Sequence, residues 1–117
     1  MPISHPLLDL SYINEISGGD EGYIREIMGI FIDTMSTGMP KLRELIMDSQ
    51  NYDEIQRQAH FLKSSAGIIK ISGVYDNLVK IDMLSKQRTG MDEIRTSLIE
   101  IINNYNEVLP VLVSARS

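Results

Sequence analysis

The residues with the clearest potential for chemistry lie in the segment 56–67, which has the sequence QRQAHFLKSSAG. On an α-helix of about 3.6 residues per turn, His60, Lys63, Ser64 and Gly67 fall on one face. A neutral imidazole offers one nitrogen lone pair, and the Lys63 ammonium is near enough to neutralise an anion held on the ring. Because Ser64 and Gly67 are small, a partner molecule could approach His60 closely.

A different face of the same helix is apolar. Five side chains recur at helical spacing and predict a stripe that packs against a core, namely Ile55, Ala59, Leu62, Ala66 and Ile69. His60 is therefore expected to point outward. Two interpretations follow, an inert surface histidine or an accessible nucleophile, and the lysine and small residues on the same face favour the nucleophile.

The segment 59–66 resembles the signature of histidine-containing phosphotransfer (HPt) domains. The family pattern is Ala-His, any residue, Leu-Lys and then commonly glycine, and the sequence matches it at Ala59, His60, Leu62 and Lys63. It departs from the pattern at Ser64, where glycine is common, and at Lys70, ten positions after the histidine, where the family also tends to have glycine. The similarity extends over roughly the whole chain, from a lead-in at residues 9–20 to the apolar spacing of residues 71–82.

The resemblance implies roles for individual residues. His60 would be the phosphoacceptor, phosphorylated at Nε2, and Lys63 would hold the phosphoryl oxygens. Ser64 would either donate a hydrogen bond to the phosphoryl group or merely replace glycine as a small residue. Gln56 or Asp82 is expected to orient the ring through its other nitrogen, and the surface for partner docking would include Arg57, Phe61 and Gly67. Phe61 is equally well interpreted as core or as a partner contact.

The same resemblance implies a function. HPt domains are phosphorelay modules that carry a phosphoryl group on histidine between receiver-domain aspartates, without kinase or hydrolase activity of their own. The expected partners are response-regulator receiver domains or a hybrid sensor histidine kinase, and the receiver would supply Mg²⁺, so that the chain needs no cofactor. The alternative is a non-enzymatic helical interaction module, a degenerate HPt domain that binds receivers without being phosphorylated.

Composition narrows the function classes further. The 117 residues and 43% hydrophobic content suit one domain spanning residues 1–117. A net charge of −5 with scattered basic residues argues against nucleic-acid binding. Without cysteine, and with two widely separated histidines, no zinc site is expected. The sequence has neither a signal peptide nor a long apolar run, so we expect a cytoplasmic protein without membrane insertion. The initial methionine favours a free-standing protein, and free-standing family members are usually monomeric.

The apolar spacing predicts an all-α fold. Four long amphipathic helices with short connections suit an antiparallel four-helix bundle with up-down topology, preceded by a short additional N-terminal helix. This is also the fold that the resemblance implies. Almost no stretch alternates with period two, so strands are not expected.

The N-terminal half contains several boundary signals. Residues 1–6 are expected to form an extended tail in which His5 is solvated, and the short helix should start near Leu7 and end at the Gly18-Gly19 pair. Asp20 is expected to cap the next helix. Gly38 and Pro40 predict a kink or break in that helix.

In the second half, Asn51 and Glu54 predict a capping box at the start of the histidine helix, which should run to about Ile69 or Lys70. Ser72 is expected to cap the following helix and Gly90 to close it, and Pro110 should bend or end the last helix. Because Lys70 occupies a usual glycine position, the turn between the histidine helix and the following helix would depend on Gly73 instead.

Overall fold

Five α-helices and two very short strands make up the computed structural model of the protein, which describes residues 4–116. A π-helical turn, Leu45–Ser49, directly continues the second helix. In chain order the elements are β1 Leu8–Asp9, α1 Ser11–Ser17, α2 Glu21–Glu44, α3 Tyr52–Ala66, β2 Lys70–Ile71, α4 Val74–Lys86 and α5 Met91–Arg116.

The four long helices form the predicted antiparallel bundle. Helix α3 packs on α2 and α4, and α5 packs on α4 and α2, so that the four helices enclose one core, while α1 lies against α2. The apolar stripe of the histidine helix is fully buried in this core, at Ile55, Ala59, Leu62, Ala66 and Ile69. Short connections between long amphipathic helices produce this arrangement. Among the described residues, no helix is long and apolar enough to cross a membrane.

Strands were not expected, and this was wrong at one point. Strand β1 pairs with β2 in antiparallel register, with Leu8 opposite Ile71, and the Ser72 N–H donates to the Leu7 carbonyl at 2.7 Å. Strands of two residues leave no alternating pattern in a sequence, which is why the signal was absent. The pairing ties the N-terminal segment to the connection between α3 and α4.

The N-terminal segment therefore differs from the predicted tail. The first helix begins at Ser11 instead of Leu7, because Leu8 belongs to β1. The His5 side chain is only 17% exposed, and its Nδ1 accepts a hydrogen bond from the Leu7 N–H at 3.0 Å, so His5 is not a solvated residue. Residues 1–3 of the expected tail lie outside the described residues.

Two predicted helix starts and one helix end are confirmed. The Asp20 carboxylate accepts a hydrogen bond from the Tyr23 N–H, and the Asn51 side chain accepts one from the Glu54 N–H, each at 3.1 Å. Gly18 adopts the left-handed conformation, with φ of 62°, at the end of α1. A positive φ of this kind raises the conformational energy of a residue with a side chain more than that of glycine.

The connection between α3 and α4 is longer than predicted, because α3 ends earlier. Helix α3 ends at Ala66 instead of Ile69 or Lys70, because Lys70 already pairs in β2. Ser72 does not cap α4 with its side chain; the cap is Gly73, whose φ of 79° lets the chain turn into α4. The dependence of this turn on Gly73, expected from the lysine at position 70, is thus confirmed.

The predicted proline effects were wrong in part. Helix α2 continues through Pro40 without a break, and α5 continues through Pro110 to Arg116. A proline inside a helix costs about 3 kcal/mol, and burying one large apolar side chain contributes about 1.5–3 kcal/mol. Met39, directly before Pro40, and Leu42, two residues after it, are both buried, so packing in the bundle offsets the cost.

Helix α4 also ends earlier than predicted, at Lys86 instead of Gly90. Arg88 adopts the left-handed conformation with φ of 57°, and the Gly90 carbonyl accepts a hydrogen bond from the Ile94 N–H at 2.9 Å. Gly90 therefore belongs to the start of α5. The turn between the two helices is made by residues 87–90.

Helices α2 and α3 are in close contact at Gly38. A Cβ atom at this position would lie 2.5 Å from Leu62 Cδ2, well inside van der Waals contact. The Gln58 side-chain amide donates to the Gly38 carbonyl at 3.0 Å. Since Leu62 and Gln58 flank His60 on α3, this contact fixes where the histidine lies relative to α2.

Candidate functional site

Helix α3 presents His60 to solvent. Its neighbours Ala59 and Leu62 are fully buried, whereas 68% of the His60 side chain is exposed. The buried stripe sets the rotation of α3 about its axis, so the histidine lies at the boundary between α3 and α4. One edge of the imidazole faces Asp82 on α4 and the rest of the ring is accessible.

Asp82 lies at the centre of the polar contacts around the histidine. Its Oδ2 is 3.3 Å from His60 Nδ1 and 2.6 Å from Lys63 Nζ. Its Oδ1 accepts a hydrogen bond from the Gln56 side-chain amide at 2.8 Å. Among the two residues that the sequence offered for orienting the ring, Asp82 contacts the ring, and Gln56 instead orients Asp82.

The contact with Asp82 assigns the proton on the imidazole. An ionised carboxylate only accepts hydrogen bonds, so in this contact Nδ1 carries the hydrogen. In the neutral ring Nε2 then keeps its lone pair. The nitrogen that does not face Asp82 therefore has the lone pair that a nucleophile needs.

The Asp82 carboxylate is kept ionised. Burial would by itself raise its pKa, but the hydrogen bonds from Lys63, Gln56 and His60 outweigh burial and hold the pKa below the ordinary value of 3.8. A side chain that is only 11% exposed is thus fully paired. The result is a negative charge placed beneath the histidine and the lysine at neutral pH.

Ser64 lies one turn after His60 and is exposed. Its hydroxyl donates to the Phe61 carbonyl at 3.0 Å, within its own helix. Gly67 closes α3, and its N–H donates to the Lys63 carbonyl at 3.0 Å. Both residues are small and therefore leave room beside the imidazole. The Ser64 hydroxyl already has an acceptor.

An apolar surface accompanies the polar cluster. Phe61, next to the histidine, is 57% exposed and is therefore not a core residue. Arg57, one turn before Phe61, is also exposed. Helix α4 adds three exposed apolar side chains on the side that carries Asp82, namely Tyr75, Val79 and Met83.

The three side chains on α4 were missed in the sequence. Their spacing of four residues, which places side chains on one face of a helix, was a signal that could have identified them. The Arg57, Phe61 and Gly67 positions, by contrast, were proposed from the sequence, and all three lie on α3 or at its end. We did not find among residues 4–116 any group of three or more His, Cys, Asp or Glu side chains arranged to hold a metal ion.

Comparisons with known proteins agree with this architecture. The sequence matches the family model of the Hpt domain over residues 26–108. The fold is similar to that of a rice protein described as a histidine-containing phosphotransfer protein, with a TM-score of 0.75 and 15% sequence identity, over 95% of this chain and 80% of the rice chain. The search of curated proteins gave no match.

Proposed function

Because the chain belongs to the Hpt domain family, we propose that it is a phosphorelay carrier that accepts a phosphoryl group on His60 and passes it on. The family acts in two-component signalling together with receiver domains and histidine kinases. The donor would be a receiver-domain aspartyl phosphate or a kinase, and the acceptor the aspartate of another receiver. The cytoplasmic location expected from the sequence is part of this proposal.

One observation carries the proposal, the exposed imidazole with Nδ1 turned towards Asp82. In loading, Nε2 attacks phosphorus, the P–O bond to the donor aspartate breaks, and its electron pair stays on the aspartate carboxylate. The Nδ1 proton remains in place, so no proton has to move. Phosphoryl transfer through a loose transition state depends mainly on positioning and on neutralising charge, and the site offers both.

Each remaining site residue has a proposed part. Lys63, whose ammonium group lies at the same cluster, would stabilise the phosphoryl oxygens. Asp82 would orient the ring and Gln56 would hold Asp82 in place. Ser64 would act as a small residue that lets the partner approach, since its hydroxyl bonds to its own helix.

Partner docking would use the exposed surface around His60. We propose that Arg57, Phe61 and Gly67 contact the receiver, with the receiver supplying the Mg²⁺ that phosphoryl transfer requires. The protein would then contribute half of a composite active site and would have no kinase or hydrolase activity alone. We expect it to act as a monomer.

The alternative, a module that binds receivers without accepting phosphate, is favoured by one contact. Lys63 is already paired with Asp82 at 2.6 Å. An ammonium group that never left this carboxylate would not stabilise a phosphoryl group. His60 would then serve only as part of a docking surface.

Intact-mass analysis distinguishes these functions. The protein is first incubated with receiver domains that a small phosphodonor has phosphorylated. The carrier gains one phosphoryl group that is labile in acid and stable in base. His60→Gln should gain none, whereas His5→Gln, which changes the other histidine, should be modified like the wild type. Complex formation with receivers but no added mass on the wild type would establish the non-phosphorylated binding module instead.

A further inference from the structure

Lys63 and His60 share one acceptor atom. Oδ2 of Asp82 lies 2.6 Å from Lys63 Nζ and 3.3 Å from His60 Nδ1. The Lys63 side chain is only 23% exposed, which is low for a lysine on the outer side of a bundle. The ammonium group is therefore directed towards α4 in the unphosphorylated protein and not towards the exposed edge of the imidazole.

We propose that Asp82 competes with the phosphoryl group for Lys63 and thereby shifts the phosphotransfer equilibrium away from phosphorylated His60. Asp82 would be a positioning residue in this respect, since it acts through the lysine. The inference rests on the proposed function, because it concerns the stability of the phosphorylated state. It adds a regulatory feature to the site, because the ion pair between Lys63 and Asp82 favours release of the phosphoryl group.

The geometry of the ring underlies this competition. Nε2 lies on the side of the imidazole away from Nδ1, so a phosphoryl group on Nε2 is separated from Asp82 by the ring. To bind the phosphoryl oxygens, the Lys63 ammonium has to weaken or leave its short, charge-assisted hydrogen bond to Asp82. Asp82 would retain Gln56 and His60 as donors but would lose its only lysine.

Burial makes this exchange costly. The Asp82 side chain is 11% exposed, and a carboxylate in such a place loses more on removal of its partner than a solvated one does. This cost favours the unphosphorylated form.

The release step balances without any further reactant. A carboxylate oxygen of the acceptor aspartate attacks phosphorus, a P–O bond forms, the P–Nε2 bond breaks, and its electron pair returns to Nε2. The proton stays on Nδ1, and the Asp82 carboxylate accepts a hydrogen bond from it. Lys63 then returns to Asp82, and this renewed ion pair contributes to the free energy of release.

The test is the equilibrium ratio of phosphorylated His60 to phosphorylated receiver, read by intact mass from a mixture with one receiver domain. Asp82→Asn is expected to raise this ratio at least about threefold, since an exposed ion pair can contribute about this much and this pair is mostly shielded from solvent. Asp76→Asn, which removes one exposed carboxylate from the same helix, should leave the ratio unchanged. Asp82→Ser is the second variant if thermal melting shows that Asp82→Asn does not fold.

A double-mutant cycle separates competition for the lysine from other effects of Asp82. In a Lys63→Gln background, the Asp82→Asn change should no longer raise the ratio, because no ammonium group remains to be released. The inference is overturned if Asp82→Asn can still be phosphorylated but its ratio is unchanged or lower than that of the wild type. It is also overturned if Asp82→Asn raises the ratio in the Lys63→Gln background. A wild type that accepts no phosphoryl group would overturn the proposed function, and the inference with it.

Discussion

Lys63 Nζ on α3 lies 2.6 Å from Asp82 Oδ2 on α4, in an ion pair that is mostly shielded from solvent. The pair joins the two helices that pack most extensively against each other in the bundle. It also lies directly beside the imidazole of His60. A contact that contributes to folding is therefore also part of the candidate site, and changes to it should alter stability and phosphotransfer together.

Acid should weaken the protein through Asp82. The folded protein holds the Asp82 pKa below 3.8, so its contribution to stability is complete above that pH and is lost as the pH falls through the folded-state pKa. The Asp82→Asn variant should thus have a lower free energy of unfolding than the wild type at pH 7. Between pH 5 and pH 3, its free energy of unfolding should fall by less than that of the wild type. Urea denaturation of both proteins across this range measures the difference.

The control for this pH prediction is Asp76→Asn, since Asp76 is exposed on the same helix. It should show the same acid-induced loss as the wild type. Parallel curves for the wild type and Asp82→Asn from pH 7 to pH 3 would contradict the stabilising role of the carboxylate.

Gly38→Ala should destabilise the bundle. The added methyl group would lie 2.5 Å from Leu62 Cδ2, and Leu62 is fully buried. Overpacking of this kind costs about 1–3 kcal/mol, of which the better helix propensity of alanine recovers up to about 1 kcal/mol. We therefore expect a net loss of about 1 kcal/mol in the free energy of unfolding, measured by urea denaturation.

Gly29→Ala is the matched control, in the same helix. Its nearest foreign atom would be Arg116 Cδ, at 3.9 Å, so the methyl group has room. This change should stabilise the protein by up to about 1 kcal/mol through helix propensity. If both alanine variants proved more stable than the wild type, the close contact between α2 and α3 would not constrain the fold.

The helices were predictable because their signal is local and periodic. The stripe from Ile55 to Ile69 follows the helical period, and the caps at Asp20 and Asn51 are short-range hydrogen bonds that residue type alone suggests. The β1–β2 pairing was not predictable, because its register depends on where residues 8 and 71 meet in space. The continuity of α2 through Pro40 likewise depends on packing that no local pattern reports.

The candidate site shows the same division. The face that carries His60, Lys63 and Ser64 follows from helical spacing, and Asp82 was one of two alternatives for orienting the ring. What the sequence could not supply is the register between α3 and α4, which places Asp82 against Lys63 as well as against His60. That register results from the packing of buried side chains along both helices.

Ser64→Ala should leave phosphotransfer unchanged. The Ser64 hydroxyl donates to the Phe61 carbonyl at 3.0 Å, so it is occupied within its own helix. Because the residue is exposed, its removal should change stability by no more than about 0.5 kcal/mol. The measurement is the rate of phosphoryl gain on His60 from a primed receiver, followed by intact mass.

Ser64→Leu supplies the contrast, since it keeps a helix-forming residue but adds bulk beside the imidazole. This variant should slow phosphoryl gain strongly while folding normally. A rate for Ser64→Ala that falls as far as that for Ser64→Leu would show instead that the hydroxyl itself takes part in the transfer.

Phe61→Ala should weaken receiver binding with little effect on folding. With 57% of its surface exposed next to His60, the ring is available to a partner. Loss of an aromatic hot spot costs about 2 kcal/mol or more, so the Kd for a receiver domain should rise at least about thirtyfold in calorimetric titration. Ile99→Ala on α5, where the side chain is 54% exposed, should leave the Kd unchanged.

Folding separates the two interpretations of Phe61 that the sequence left open. Replacing a surface aromatic residue with alanine should change the free energy of unfolding by about 0.5 kcal/mol or less. Replacing a core phenylalanine with alanine would lower it by about 3–5 kcal/mol. A large loss of stability together with an unchanged Kd would show that the ring supports the bundle and does not contact the receiver. An unchanged stability with weakened binding would place the docking surface on α3, beside His60.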